Sequence, residues 1–243
     1  MRVRTALTVA GSDCGGGAGI QADLKTFLDR GVYGMSVVTA ITAQNTHGVR
    51  AVSLLEPGLV REQLRAIFDD FPVDAVKTGM LGDVRIIDTL CDVLEALSSR
   101  PPLVVDPVML AKDGTSLLEP RALDALRRRL FPLATLVTPN LPEAAALGAI
   151  QYDVLLKGGH GDGRWVEDRL TVGGQTRSFR HRRVDTRHTH GTGCTLSAAI
   201  TAELAQGTGL ETACERGVRY VARLIRRGGG DLGRGVGPLL HGL

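Results

Sequence analysis

The sequence predicts a single α/β domain over residues 1–243, built as a doubly wound, mostly parallel central sheet with helices on both faces. Three observations predict it. Short apolar runs alternate with helix-patterned runs along nearly the whole chain, which is how strand–helix–strand units joined by right-handed crossovers are written. The clearest of the short runs, Leu103-Val104-Val105, has no polar alternation, the mark of a strand covered on both faces. The apolar runs end in glycine-rich or polar turns, and such sheets bind ligands outside the carboxyl ends of their strands.

Taken in order, Ala6 to Ala10 reads as a buried strand and Gly11 to Gly19 as a flexible turn, followed by a helix from about Ile20 to Arg30. The turn contains G-x-G-x-x-A at Gly17, Gly19 and Ala22. A dinucleotide fold is excluded because the second strand, Ser36 to Thr42, ends in Ala43-Gln44-Asn45 with no acidic residue for a ribose. The sequence contains no G-x-x-x-x-G-K-[ST], so it is not a P-loop enzyme. Val49 to Leu55 is a short strand near an edge, and Pro57 to Phe71 is helical. Asp74 to Lys77 is a strand, and Asp83 caps a helix running to about Leu97. After the strand at 103–105 come a helix from Arg121 to Leu130 and a strand at Thr135 to Val137. A short helix then leads to the strand Val154 to Leu156. Trp165 to Arg180 breaks the rhythm as a hairpin around Gly173-Gly174, and helices from Cys194 to Ala205 and Leu210 to Arg226 complete the pattern.

Composition narrows the function. With 43% hydrophobic residues and a mean hydropathy of +0.05, the chain is an ordinary soluble protein, and no apolar run is long enough to span a bilayer. Met1-Arg2-Val3-Arg4 leads straight into a strand without an apolar signal region. Cys14, Cys91, Cys194 and Cys214 show no C-x-x-C spacing, so reduced thiols in a cytoplasm are expected. A net charge of +3 is too weak to argue for nucleic acid, and Arg216, Arg219, Arg223, Arg226 and Arg227 read as the solvated face of the last helix. Of 29 basic residues only Lys25, Lys77, Lys112 and Lys157 are lysine. A compact ammonium differs physically from a planar guanidinium, which makes these four candidates for phosphate contact or internal ion pairing.

The chemistry centres on His188 to Ile200. Gly191 and Gly193 flank Thr192, and the chain then runs into small and apolar residues at helical spacing. The first N–H groups of a helix lack internal partners and sit at the positive end of its dipole, so such a loop receives an anion. Cys194 falls at or near the first helical position, where the same field favours a thiolate. An anion cradle with a proton acceptor at its lip suits phosphoryl transfer to an alcohol. The same pattern also serves as plain punctuation before a helix, with the cysteine a small buried residue. Gly11, Gln44, Lys77, Met80, Asp106, Asn140, Glu143 and Lys157 collect at the carboxyl ends of the strands, on the same edge as this loop. Asp106 and Glu143 are hard oxygen donors suited to Mg²⁺ through water, and Lys157 to a transferring phosphate.

In chain order, GSDCGGGAGIQADLKTF, TAQNTHGV, VKTGML, VVDPVM, TPNLPEA, LLKGGH and THGTGCTLSAAI resemble segments of the hydroxymethylpyrimidine/phosphomethylpyrimidine kinases of thiamine biosynthesis, members of the ribokinase-like superfamily. The resemblance runs from residue 5 to about residue 206. It implies ATP-dependent phosphorylation of 4-amino-5-hydroxymethyl-2-methylpyrimidine and then of its monophosphate, with ATP and Mg²⁺, in a homodimer free of nucleic acid and membrane. Carried over by residue, it makes Cys194 the general base and Gly191, Thr192 and Gly193 the anion hole. Gln44 reads the pyrimidine, since a carboxamide offers one donor and one acceptor to an aminopyrimidine edge. Gly11, Asp23, Met80 and Val108 line the rest of the substrate pocket. Asp106 and Glu143 stand on the magnesium side, Asn140 and Lys157 on the nucleotide side.

The resemblance departs at one place. Only Ala144 to Asp153 lie between Asn140-Leu141-Pro142-Glu143 and the next strand, a shorter crossover than the family carries. The alternatives are a pyridoxal or other vitamin-alcohol kinase on the same fold, and a pyrimidine-binding sensor that has lost transfer. Related pyridoxal kinases usually carry aspartate where Cys194 stands, which speaks against the first. An intact phosphate cradle speaks against the second.

Overall fold

The structure, a computed structural model, describes every residue except Met1, Lys112, His160 and Asp162. The expectation for Lys112 therefore lies outside the described residues. Nine strands form one sheet in the order β3-β2-β1-β4-β5-β6-β7-β8-β9. They are β1 (Thr5–Asp13), β2 (Tyr33–Asn45), β3 (Gly48–Leu54), β4 (Ala75–Thr78), β5 (Leu103–Val105), β6 (Leu136–Val137), β7 (Val154–Leu156), β8 (Trp165–Val172) and β9 (Gln175–Arg182). From β2 through β7 every pairing is parallel. The antiparallel pairs are β2–β3 at one edge and β7–β8–β9 at the other, so the sheet is mostly parallel, as expected.

The winding reverses around β1. The chain goes from β1 outward to β2 and then returns to β4 on the other side, which opens a crevice at the carboxyl ends of the central strands. The helices divide between the faces. On one face α2 (Pro57–Phe68), α3 (Val84–Glu95) and α4 (Ala122–Ala125) cover Leu7, Val9, Val37, Val76 and Val105. On the other face lie α1 (Gly19–Asp29), α6 (Thr192–Ala205) and α7 (Leu210–Arg227); the remaining helix, α5 (Leu141–Leu147), follows β6. Helix α6 is apolar almost all round and buried from Thr195 to Ala202, because it packs between α1, α7 and the sheet.

Several elements differ from expectation for local reasons. Strand β1 continues past Ala10 to Asp13, since a bulge that sets Thr39 and Ala40 of β2 opposite Gly11 lets the pairing resume at Ser12 with Ile41. Asp83 caps α3 as anticipated, its carboxylate accepting from the Ile86 N–H over 2.9 Å. The helix expected from Arg121 to Leu130 begins at Ala122 and widens to π-type turns at Leu126–Leu130, ending in a 3₁₀ turn at Phe131–Leu133. In the short crossover α5 links β6 to β7, whose parallel register pairs Val137 with Val154. Arginines 216, 219, 223, 226 and 227 are exposed along α7, as expected, and Arg223 also stacks on Tyr220, 5.3 Å from its ring centroid.

Candidate active site

Two glycine loops meet above the carboxyl end of β1. The first runs from Cys14 to Ala18, and the carboxylate of Asp13 is its hub. Asp13 Oδ1 accepts from Gly15 N at 2.8 Å, and Oδ2 accepts from Gly17 N at 3.1 Å and Ala18 N at 2.9 Å. Asp13 Oδ2 also lies 2.8 Å from His190 Nε2, on the second loop. Burial disfavours the charge on Asp13, but the His190 contact and the backbone donors outweigh it and lower its pKa. The second loop holds Gly191, Thr192 and Gly193, the residues expected to form the anion cradle. Gly191 precedes α6 with φ +77, a left-handed conformation that favours glycine, and a Cβ there would overlap the Gly17 carbonyl oxygen. Thr192 is the first residue of α6, so the helix starts two residues before the expected Cys194.

Lys157, Asp106 and Gly193 come together as expected. Lys157 Nζ donates to Asp106 Oδ1 at 2.7 Å and lies 3.9 Å from Glu143 Oε2. A Cβ on Gly193 would stand 3.4 Å from Lys157 Nζ and 3.6 Å from Asp106 Oδ2, so the first turn of α6 lies against this ion pair. Asn140 and Glu143 form a reciprocal cap on α5: Asn140 Oδ1 accepts from Glu143 N at 2.8 Å, and Glu143 Oε2 from Asn140 N at 2.7 Å. Asn140 also pairs in parallel with Lys157, fixing that cap beside the lysine. Burial pushes the Glu143 carboxyl up to about 7, against the opposing pull of Lys157 and with Asp106 adding to the rise. Among the described residues no group of three or more His, Cys, Asp or Glu is placed to hold a metal. Two carboxylates beside a lysine therefore fit Mg²⁺ only as it usually binds nucleotide sites, keeping water and sharing phosphate oxygens.

Beneath the loops, Asp23 and Lys77 are both completely buried and joined over 2.7 Å. Thr8 Oγ1 donates to the same Asp23 oxygen at 2.6 Å, while Asp23 Oδ1 is buried without a protein partner. Asp23, expected as a pocket residue, is thus closed off from solvent and offers one unsatisfied acceptor. Lys77 proves to be an internal ion-pair lysine; burial opposes its charge, but Asp23 and the neighbouring anions hold its pKa high.

Cys194 sits where the N-termini of α6 and α1 converge, and Gly19 N–H is offered to its sulfur. The expected thiolate is corrected here. Burial pushes this thiol up to about 11; the Lys77 ammonium and the Gly19 donor pull it down, while Asp23 and Asp106 push with burial. Desolvation at this site outweighs the helix field, so the resting group is a thiol. Cys91 and Cys214 are buried and pushed up to about 12, as befits packing residues. Cys14 is exposed, so Cys194 is not the only cysteine open to reagents.

Of the residues expected to face the substrate, Gln44 is half-buried next to the end of β2, 3.3 Å from His190 through its carboxamide. Met80 lines the floor opposite Gly11, whose Cβ would come within 3.0 Å of Met80 Sδ. Val108 follows Asp106 in a tight turn, Val108 N donating to Asp106 O at 2.8 Å. Sequence reasoning missed three contributors. Asp13 was visible as the last acidic residue before a glycine run, and His190 as the residue before Gly191. The third is the segment from Gly235 to His241, which ties the β2–β3 turn to the second loop and the start of α6. Val236 N donates to Thr46 O at 2.8 Å, His190 N to Gly237 O at 3.0 Å, and His241 Nε2 meets Thr195 Oγ1 at 2.9 Å. Nothing in its composition marks it.

This arrangement, a glycine loop at a helix N-terminus beside a lysine–aspartate pair on a mostly parallel nine-stranded sheet, is that of a ribokinase-like phosphotransferase. Residues 13–240 match the phosphomethylpyrimidine kinase family, and the chain belongs to that family. It is 46% identical to the hydroxymethylpyrimidine/phosphomethylpyrimidine kinase of Streptomyces coelicolor, over 97% of this chain and 93% of that protein. Among solved structures it resembles phosphomethylpyrimidine kinase from Clostridium difficile, with TM-score 0.79 and 41% identity over 92% of this chain and all of that one. It also resembles Bacillus subtilis pyridoxal kinase solved as an ADP complex, with TM-score 0.87 and 36% identity over 99% of this chain and 98% of that one.

Proposed function

We propose that this protein transfers the γ-phosphoryl group of ATP to the hydroxymethyl oxygen of 4-amino-5-hydroxymethyl-2-methylpyrimidine, and then phosphorylates the monophosphate to the diphosphate for thiamine biosynthesis. The observation that carries this reading is the placement of Gly193 against Lys157 and Asp106 at the start of α6, with Cys194 next in the chain. The α6 amides and Lys157 bind the negative oxygens of the transferring group. Gln44 and Met80 hold the ring so that its hydroxymethyl group faces the cradle. Asn140 and Lys157 border the nucleotide. Bound Mg²⁺ would neutralise phosphate charge, held through water by Asp106 and Glu143.

In the transfer step the substrate oxygen forms a bond to the γ-phosphorus as the bond to the β–γ bridging oxygen breaks, and ADP leaves. The hydroxyl proton passes to the Cys194 sulfur in its thiolate form. Phosphoryl transfer runs through a loose transition state, so the proton leaves the nucleophile late, and the step proceeds through the minor thiolate fraction. The resemblance also carries a homodimer, which analytical ultracentrifugation would test.

The functional test is phosphate transfer from ATP assayed side by side on hydroxymethylpyrimidine and on pyridoxal. Higher kcat/KM on the pyrimidine is expected. Higher kcat/KM on pyridoxal would overturn the reading in favour of the vitamin B6 kinases that share the fold. Gln44→Leu should raise the pyrimidine KM several-fold and leave the ATP KM unchanged, since hydrogen bonds to a desolvated ring edge contribute roughly 0.5–1.5 kcal/mol each.

A further inference from the structure

The carboxamide of Gln44 lies between two side chains whose hydrogens are already committed. His190 Nε2 is 2.8 Å from Asp13 Oδ2. Asp13 accepts from three backbone N–H groups besides and has a lowered pKa, so it is an ionised acceptor. An acceptor at that distance requires a hydrogen on His190 Nε2, whether the ring is neutral or charged. On the other side, Thr42 Oγ1 gives its single hydrogen to the Ser12 carbonyl over 2.8 Å. What remains on Thr42 is lone pairs.

Gln44 Nε2 stands 3.3 Å from His190 Nε2, and Gln44 Oε1 stands 3.3 Å from Thr42 Oγ1. In that sense of the amide, a donor faces a donor and an acceptor faces an acceptor. A half-turn of the carboxamide, whose oxygen and nitrogen have nearly the same size, converts both contacts into hydrogen bonds. We infer that Asp13, His190 and Thr42 are positioning residues that hold the Gln44 amide with its oxygen on His190 and its nitrogen on Thr42, and so set the orientation and specificity of the bound pyrimidine. This rests on the reading of Gln44 as the ring-recognition residue.

The chemical consequence is definite. The oxygen keeps one lone pair and the nitrogen one hydrogen for the ligand, the acceptor on the His190 side and the donor on the Thr42 side. A 4-aminopyrimidine pairs bidentately with that edge in one orientation, amino group toward His190 and adjacent ring nitrogen toward Thr42. The hydroxymethyl carbon is attached next to the amino-bearing carbon, on the side away from that ring nitrogen. The same orientation therefore sends it toward the loop that runs from His190 to Cys194. A 4-oxo pyrimidine presents the reverse order, a carbonyl acceptor and a ring N–H, and meets like with like at both contacts. A site built to match one hydrogen-bonding pattern rejects the reverse strongly, because buried groups are left unpaired.

The test compares kcat/KM for the 4-amino substrate and its 4-oxo analogue in wild type, His190→Gln and Thr42→Val. Glutamine at 190 can still donate to Asp13 yet offers Gln44 either sense of bond, and valine at 42 removes the acceptor. Each change should lower the amino-to-oxo preference by about tenfold while leaving the ATP KM unchanged, and Thr42→Ser should restore it. A preference unchanged in both variants overturns the inference. Orientation is read independently of activity by NMR on the folded protein. Contacts from the Gln44 side-chain NH₂ to the Thr42 methyl support it, and contacts to the His190 ring overturn it. If instead Gln44→Leu leaves the pyrimidine KM unchanged while the NMR contacts run to Thr42, the amide is positioned as inferred and the ring-recognition reading is what fails.

Discussion

Lys77 Nζ donates to Asp23 Oδ2 over 2.7 Å with both side chains fully buried, directly beneath the cradle that holds Cys194. A buried pair of this kind gains little over a well-packed apolar pair, yet removing one partner strands the other charge. Lys77→Met should therefore destabilise the protein by about 3–5 kcal/mol, measured as a shift in the urea midpoint. Lys77→Met combined with Asp23→Leu should recover much of the loss. A single variant as stable as wild type would show that Asp23 is protonated in the fold and needs no counter-charge.

The two glycines of the cradle should respond differently to the same change. Gly191 has φ +77 and faces the Gly17 carbonyl, so Gly191→Ala should separate the loops and lower thermal stability. Gly193 meets only Lys157 Nζ at 3.4 Å and Asp106 Oδ2 at 3.6 Å, both at ordinary contact distance. Gly193→Ala should fold normally but place a methyl group where phosphate oxygens must approach the α6 amides. Expected is an unchanged melting temperature with weakened ATP binding by calorimetry. Equal ATP affinity in Gly193→Ala and wild type would mean that phosphate does not enter this side of the cradle.

Much of this site could be read from sequence because strand ends in a parallel sheet have little freedom. Lys77, Asp106, Asn140 and Lys157 each follow or close a short apolar run, and the sheet sets those ends side by side. What could not be read were relations across the chain. Asp13 and His190 are 177 residues apart, and only the packing of two glycine loops makes them partners. The ionisation of Cys194 was misjudged for a related reason. A helix N-terminus is visible in sequence, whereas the desolvation that outweighs its field depends on how α1 packs against α6 around the thiol. Likewise, the Leu126–Leu130 stretch has ordinary helix formers, and nothing in its composition marks the widened turns it adopts where it packs against α3.

Glu143 provides a stability signature of its own. Its carboxyl is pushed up to about 7 in the fold, against an ordinary value near 4.5. The folded state thus holds a proton that the unfolded chain has released. The resulting stability is fully present below about pH 4.5 and is lost as pH rises through about 7. Glu143→Gln keeps an acceptor for the Asn140 cap but cannot ionise. Relative to this variant, wild type should lose stability between pH 5 and pH 8, by on the order of 1–3 kcal/mol. Parallel melting curves across that range would expose a shallow or reversed slope, either of which refutes a raised carboxyl.

The pH dependence of catalysis should belong to Cys194. A general base works only when deprotonated, and burial has pushed this thiol up to about 11. Below that value, each unit of pH raises the thiolate fraction tenfold, so kcat/KM should climb steadily from neutral pH toward the alkaline limit of stability. Cys194→Ser should bind both substrates and transfer more slowly, on the order of 10²–10⁴-fold. Cys194→Asp should recover part of that loss and flatten the profile above neutral pH, because a carboxylate ionises earlier. Reactivity gives a second readout: at neutral pH iodoacetamide should label exposed Cys14 first, reach Cys194 as pH rises, and be excluded from it by bound pyrimidine. A wild-type rate that is level from pH 7 to 10, with Cys194→Ser equally fast, would reduce the thiol to packing. Proton acceptance would then pass to the phosphate oxygens, and catalysis would rest on the α6 amides and Lys157.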